Sequence, residues 1–401
     1  MTRIALLPSA YPPSVGGVEE LTRHLALALV AAGDEVEVWT GNSDDHDAET
    51  VEIRDGLVVR RFPLPLPANS LPVTAFAAVN GARTMRALHR AVASFRPDVL
   101  HVQCFGPNGA YATALSWTAG VPLVITLQGE TVMDDADIFD VSQSLRAALR
   151  AGLRKAAAVT ACSQFTLDDA IARFGLPPGR GVVIPNGVAL DGAGSSGAPA
   201  DPGPLDRLGD TPFVLALGRV VAKKGFDLLL AGYAAMDPAE RTADLVIGGT
   251  GAAVEGLEAQ AEESGIGDRV HFVGRLSREE VAAAMSRAEV FVMPSRLEPF
   301  GIVVLEGWRA GTAVVATSRG GPPEFVRDGV DGLLVDPFDT AAVARVLGRV
   351  LTDGPLRRSI AAAGHARVGE FAWPVVAERY RELYASVLGS QAGRRRRGRA
   401  S

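Results

Sequence analysis

Short apolar runs alternate with helix-patterned stretches from one end of this chain to the other, and that alternation limits its fold more than any other feature. "RIALLP" is a β-like run, "SAYPPSVGG" is turn-rich, and "VEELTRHLALALVAAG" carries apolar residues at helical spacing up to Gly33. "DEVEVWT" then resumes a strand, and "PDVLHVQC", "VPLVITLQG" and "AAAVTAC" repeat the theme. Strands apolar on both faces and separated by helices form parallel sheets covered by helices, so the first half reads as a Rossmann-like unit. Residues 192–209, "GAGSSGAPADPGPLDRLG", have the Gly, Pro, Ala and Ser content of a linker. Beyond them "PFVLALG", "ADLVIGG", "RVHFVG", "AEVFVMPS" and "TAVVATS" build a second α/β unit. A chain of 401 residues, 47% hydrophobic, is long enough for two such cores. Sheets of this kind bind ligands at the carboxyl ends of their strands, so two facing units are expected to form a cleft lined by those loops.

Charge and cysteine content exclude several classes. The net charge is −6, and without the five arginines of the tail "GRRRRGRAS" 35 basic residues face 46 acidic ones, a balance that gives no reason to expect nucleic acid. Cys104 and Cys162 both lie in apolar segments, so neither a disulfide framework nor a Cys/His metal site is suggested, and a reducing cytoplasm is the expected compartment. No stretch reaches the roughly 18 apolar residues of a membrane span, which gives the expectation of a soluble, unprocessed chain. In the helical pattern 73–95, Arg83, Arg86 and Arg90 fall on one face and Met85, Leu88, Val92 and Phe95 on the other, as in a surface helix packed on a sheet. With Arg394 to Arg397 those arginines could also touch anionic lipid, a peripheral membrane contact that is not the expectation here.

The candidate chemistry sits in the loops. "LALGRVVAKKGFDLLLAG" puts Arg219 and Lys224 between a strand and a helix start, where they could clamp a diphosphate or be an ordinary solvated turn, dispensable for folding. Gly16 and Gly17 precede a helix, and Gly248, Gly249 and Gly251 follow a strand; each could admit phosphate oxygens or simply make a tight turn. "GTGAAVEG" has Val254 where a dinucleotide fingerprint needs its third glycine, which disfavours a nicotinamide enzyme. In "RLEPFGIVVLEGWRAGTAVV", Glu298 lies in the loop after a strand and Glu306 more than one turn into the following helix. Carboxylates accept paired sugar hydroxyls, and the N–H groups of Phe300, Gly301 and Ile302 are available at the helix start. The plain alternatives are a dipole-stabilising Glu298 and a water-facing Glu306.

These segments together resemble the retaining glycosyltransferases of family 4, which have the GT-B fold. The resemblance runs through "GGVEE", "PDVLHVQ", "IPNGV", "GRVVAKKG", "FVGRLS", the long block from "PSRLEPFG" to "DGVDGLLV", and "FAWPVVAERYRELY". It implies two Rossmann-like domains facing across a cleft: residues 1–191 for the acceptor, a linker 192–209, residues 210–370 for the nucleotide-sugar donor, a helix 371–390 crossing back, and a basic, disordered tail 391–401. It further implies that Arg219 and Lys224 hold the diphosphate, Glu298 with the following N–H groups the sugar, and Glu306 the ribose, with Gly16, Gly17, Gly249 and Arg275 at the donor. UDP is the favoured nucleotide, the nucleotide sugar being co-substrate and no cofactor being required.

The chain departs from the pattern at Gln128, where relatives often carry His and where glutamine cannot act as a base. It also departs at Trp308 and Arg309, where relatives favour small residues, and at Ala189, where they favour Asp. His101 reads as a structural strand-end histidine. Glu130, Asp134, Asp135, Asp137 and Asp140 crowd the loop after "PLVITLQG", and with Gln128 they are the expected acceptor contacts, suited to an aminocyclitol or amino sugar held as ammonium; a solvated acidic helix start is the plain alternative. "DAD" at 135–137 is assigned no metal, since two cations already face the diphosphate. A nucleotide-sugar epimerase or hydrolase of the same fold, and a binding protein without turnover, are the alternatives.

Overall fold

The computed structural model describes residues 1–14, 16–42, 49–65, 71–133, 137–190, 205 and 208–397, with the backbone alone at 71–79 and 392–397. They form two compact units, one made of Met1–Gly187 with Trp373–Ser401, the other of Val188–Ala372.

The first unit runs β1 (Arg3–Pro8), α1 (Gly17–Ala31), β2 (Glu35–Gly41), β3 (Thr50–Arg54), β4 (Leu57–Phe62), α2 (Leu71–Phe95), β5 (Val99–Gln103), α3 (Pro107–Ala119) and β6 (Leu123–Leu127). It continues with α4 (Glu130–Met133), α5 (Ile138–Val141), α6 (Gln143–Lys155), β7 (Ala158–Ala161), α7 (Gln164–Phe174) and β8 (Gly181–Val183). The sheet order is β3-β4-β2-β1-β5-β6-β7-β8, parallel except for the β3–β4 hairpin. β1, β5 and β6 are buried on both faces, as their uninterrupted apolar runs require. On α2, Arg83, Arg86 and Arg90 are exposed while Met85, Leu88, Val92 and Phe95 pack on the core, the division of faces expected from the sequence.

The second unit contains β9 (Phe213–Leu217), α8 (Phe226–Ala234), β10 (Asp244–Gly248), α9 (Val254–Glu263), β11 (Val270–Gly274), α10 (Arg278–Arg287) and β12 (Val290–Met293). Then come α11 (Ile302–Ala310), β13 (Ala313–Thr317), β14 (Leu333–Val335), α12 (Thr340–Thr352) and α13 (Gly354–Arg367). Its sheet, β11-β10-β9-β12-β13-β14, is wholly parallel. Polar caps start several of the helices: Ser277 and Glu280 close a reciprocal capping box on α10, and Asp339 and Asp353 cap α12 and α13. Most of the linker expected at 192–209 falls outside the described residues; within it, Leu205 and Leu208 are buried.

The last helix, α14 (Trp373–Arg397), returns to the first unit. Trp373, Val376, Ala377, Tyr380, Tyr384 and Val387 recur every three or four residues and form its buried stripe. Trp373 stacks on His24 at 5.9 Å, Arg381 meets Asp34 at 2.9 Å, and the Tyr384 hydroxyl lies 2.6 Å from His101 Nδ1. Gly187 is needed beneath Trp373, because a Cβ there would come within 2.6 Å of the indole. One expectation needs correcting: the tail from 391 is helical as far as Arg397. Arginine is a good helix former, and extending an existing helix costs far less than starting one.

Burial keeps His101 neutral and pushes its pKa from 6.5 down to about 3. Its contribution to stability is therefore complete above the unfolded value and is lost as the pH falls toward the folded one. Tyr384→Phe, which strands the ring nitrogen, should cost about 1–3 kcal/mol in urea unfolding at neutral pH. The wild-type midpoint should also drop between about pH 7 and pH 5, and His101→Gln should lessen that drop.

Candidate functional site

In the second unit the loops after β9, β10 and β12 are tied together by backbone contacts. Val220 N–H donates to the Thr250 carbonyl at 2.9 Å, and Ala253 N–H to the Val220 carbonyl at 3.0 Å. Gly249, at φ +133°, would place a Cβ 1.8 Å from the Gly218 carbonyl oxygen, and Gly251 one 2.2 Å from that of Val220. These two glycines are thus required by the approach of one loop to the other, whatever ligand they meet. Arg219, which follows Gly218 and precedes Val220 in the chain, is exposed on this pair of loops.

Lys224 closes a 3-10 turn, Ala222–Lys224, followed by Gly225 at φ +70°, where a Cβ would stand 2.1 Å from the Pro294 carbonyl oxygen. This close seat on the end of β12 brings Lys224 Nζ to 2.8 Å from Glu298 Oε2. Ser295, fully buried, donates its hydroxyl to the same oxygen at 2.8 Å. The Glu298 backbone is held in turn: its N–H donates to Arg319 O at 3.1 Å, and its carbonyl accepts from Gly321 N–H at 2.8 Å. Arg296 braces the loop with two bonds to Asp227 of 2.7 and 2.6 Å. Lys224 is therefore no solvated loop cation, as the sequence suggested it could be, but half of a largely buried ion pair.

Just beyond Glu298, Gly301 at φ +94° caps α11, with Ile302 half-buried as the first helical residue. The Phe300 ring stacks on Phe325 at 4.7 Å, so that side chain belongs to the core and only its backbone can serve a ligand. Glu306, one turn on, is half-buried; burial raises its carboxyl above the usual carboxylate range, while the Arg309 and Arg278 guanidiniums pull the other way. Arg275 is exposed just after β11. The two bulky departures on α11 have local partners. Trp308 is fully buried, donates its indole N–H to Asp331 O at 2.8 Å, and fits because residue 364 is glycine, where a Cβ would lie 2.3 Å from the indole. Arg309 donates to the carbonyl of Ala189 at 3.0 Å, so two positions singled out in the sequence touch each other. A cavity of about 710 Å³ between α9 and the β11 edge, lined in part by Glu258, Val270 and Phe272, contains none of the predicted site residues.

In the first unit Gly16 caps α1 and Gly17 opens it, but a Cβ on Gly16 would meet Glu19 Oε2 at 2.5 Å. The buried Glu19 carboxylate thus lies against Gly16, so this glycine is required by its own helix whatever ligand it meets. The position of Glu19 three residues after the cap was the signal in the sequence. Glu130 accepts the N–H groups of Phe105 at 2.5 Å and Gln128 at 2.7 Å, clasping the loop after β5 to that after β6. Burial pushes its carboxyl up to about 7 against the pull of those hydrogen bonds. Asp140 pairs with Arg146 at 3.0 Å and Arg173 at 2.8 Å, and Asp137 adopts a left-handed backbone at the start of α5. Asp134 and Asp135 lie outside the described residues. Gln128 donates to Gln103 Oε1 at 3.0 Å. Sequence reasoning missed Ser295, Glu19 and Gln103, which acquire their roles only through contacts made by the fold.

A family model described as "Glycosyl transferases group 1" matches residues 200–367, and one described as "Glycosyl transferase 4-like domain" matches residues 16–187. The chain is 31% identical over 397 residues to a D-inositol 3-phosphate glycosyltransferase of Xylanimonas cellulosilytica, with 94% of each chain covered. A second protein of that name, from Streptomyces scabiei, is 31% identical over 404 residues, covering 96% of this chain and 89% of the relative. Among solved structures, sucrose-phosphate synthase from Thermosynechococcus elongatus superposes with a TM-score of 0.76 at 26% identity, over 97% of this chain and 100% of the other. Anabaena HepE, crystallised with UDP and glucose, does so at 0.75 and 22% identity, over 96% and 100%. With both halves matched and near full-length relatives at this identity, the chain belongs to the family-4 glycosyltransferases of the GT-B fold.

Proposed function

We propose that this glycosyltransferase moves a hexosyl or N-acetylhexosaminyl group from a UDP-sugar to a hydroxyl of a cyclitol or sugar acceptor, with retention of anomeric configuration and without a divalent ion. The observation that carries this reading is the Lys224–Glu298–Ser295 cluster at the carboxyl ends of β9 and β12, beside the start of α11. Lys224 and Arg219 supply positive charge where a leaving diphosphate gains negative charge, the role a metal ion plays elsewhere. Glu298, oriented by Lys224 and Ser295, accepts hydroxyls of the donor sugar, and Glu306 accepts those of the ribose. The bond from the anomeric carbon to the diphosphate oxygen breaks, the acceptor oxygen bonds on the same face, and its proton passes to the departing phosphate. No protein base is needed, in keeping with glutamine at position 128.

The names of the relatives make a cyclitol phosphate a natural acceptor to try. An ammonium acceptor draws less support than the sequence suggested, because Glu130 and Asp140 already have partners within the unit. The activity is tested by incubating the protein with UDP-glucose, UDP-N-acetylglucosamine and GDP-mannose, with and without D-inositol 3-phosphate or an aminocyclitol, and following nucleotide release and transferred sugar by mass spectrometry. Nucleotide release that ignores the acceptor would identify a hydrolase, and binding without release a non-catalytic protein.

Arg219→Ala and Lys224→Ala should each lower turnover by roughly 10²-fold or more. Lys224→Ala should also lower thermal stability, by about 1.5–3 kcal/mol, since it deprives a buried carboxylate of its charged partner. Normal turnover in both variants would remove the diphosphate clamp. Glu306 binds ribose as carboxylate and its pKa is raised, so UDP affinity should fall about tenfold per pH unit below that pKa, starting at a higher pH than an ordinary carboxylate would give. Titration calorimetry across pH checks this: Glu306→Gln should flatten that dependence, and an unchanged profile would take Glu306 out of the ribose site.

A further inference from the structure

A line of polar side chains runs through the interior of the first unit from α14 to Gln128. Tyr384 OH lies 2.6 Å from His101 Nδ1, Gln103 Nε2 lies 3.2 Å from His101 Nε2, and Gln128 Nε2 lies 3.0 Å from Gln103 Oε1. Thr126 also reaches His101 Nε2, at 2.7 Å, and is bonded to Thr160 at 2.6 Å. His101 and Gln103 are buried, so each of their polar atoms depends on these partners.

The polarity of the line follows from the placement of the Gln103 amide, with Nε2 toward the ring and Oε1 toward Gln128. A neutral imidazole has one N–H and one lone pair. Gln103 offers an N–H to Nε2, so the proton is on Nδ1 and is donated to the Tyr384 oxygen. Gln103 then faces Gln128 with its carbonyl oxygen, and Gln128 answers with its NH₂ group. What Gln128 has left to present is its oxygen, which is buried and has no hydrogen-bond partner among the described residues. Asn108, in the first turn of α3 after β5, repeats the arrangement. Its Nδ2 is held by the Leu7 and Cys104 carbonyls at 2.7 and 3.1 Å, and its Oδ1 is likewise buried and unpartnered. Both unpartnered atoms at these strand ends are acceptors, and burying an acceptor without a partner is unfavourable.

We propose that Tyr384, His101 and Gln103 are positioning residues that hold Gln128 with its side-chain oxygen toward the substrate, where it accepts a hydrogen bond from a hydroxyl of a bound sugar or cyclitol. This rests on the transferase reading above. The hydroxyl can belong to the donor sugar or to the acceptor, and kinetics separates the two.

The experiment measures KM for both substrates in the wild type, Gln128→Met, Gln103→Met and the double variant, using UDP-glucose and D-inositol 3-phosphate or the pair from the panel that the wild type turns over. Absence of wild-type turnover with every pair would sink the transferase reading itself, before any variant is compared. Given turnover, Gln128→Met should raise one KM about 5- to 10-fold and leave the other unchanged, and the KM that rises identifies the hydroxyl. Gln103→Met should raise the same KM and add nothing in the Gln128→Met background. If Gln103→Met does not fold, Tyr384→Phe replaces it, with a rise of about 2- to 3-fold in that KM which vanishes in the Gln128→Met background. Unchanged KM values in Gln128→Met, as expected if only water meets the oxygen, would overturn the proposal. So would additive effects of the two substitutions.

Discussion

The ion pair between Lys224 and Glu298 is the interaction on which the second unit's loops converge. A carboxylate this buried is tolerable only with a charged or hydrogen-bonding partner, and Glu298 has both in Lys224 and Ser295. Reaching that arrangement demands two close backbone approaches and one left-handed turn. Gly225 sits against Pro294, Gly301 turns through a left-handed conformation beside Met293, and Gly320 lies where a Cβ would be 2.1 Å from the Glu298 carbonyl oxygen. Each is a place where a side chain would displace the loop and pull the two charges apart. The pair thus fixes a cation and a carboxylate side by side, suited to a diphosphate and a sugar hydroxyl respectively.

The first unit depends on a different device. Its sheet is completed as a packed body by a helix from the far end of the chain, joined through a buried aromatic and polar contact of Tyr380 and Tyr384 with His101. A neutral, fully buried histidine offers its neighbours one donor and one acceptor. The orientation of a glutamine at a strand end can therefore be set from a helix much later in the sequence.

Much of this was legible in the sequence. The alternation of apolar runs and helical periods located the sheets, and the resemblance to family 4 singled out Arg219, Lys224, Glu298 and Glu306. Periodicity could not show that Glu298 would bond to Lys224, 74 positions away, or that Gln103 would meet Gln128 across two strands, because such pairings are made by strand order and loop geometry. The same holds for Trp308, whose place opposite Gly364 is a complementarity of volumes between two helices. Gly16 and Gly249 read as phosphate-binding glycines, yet each already has a reason within its own unit, in Glu19 and in the Gly218 carbonyl. The acidic cluster read as a charge site because composition shows carboxylates and not their partners; Glu130 is taken by backbone N–H groups and Asp140 by arginines.

On the function proposed above, Glu298, braced by Lys224, holds the sugar of a nucleotide sugar and leaves the nucleotide to other residues. Calorimetric titration of UDP and of UDP-glucose into the wild type and Glu298→Gln, in buffer containing EDTA, tests it directly. The wild type should bind UDP-glucose more tightly than UDP, and Glu298→Gln should bind UDP as before but lose the added affinity for the sugar. Equal preference for UDP-glucose in both proteins, or loss of UDP binding itself in Glu298→Gln, would contradict it.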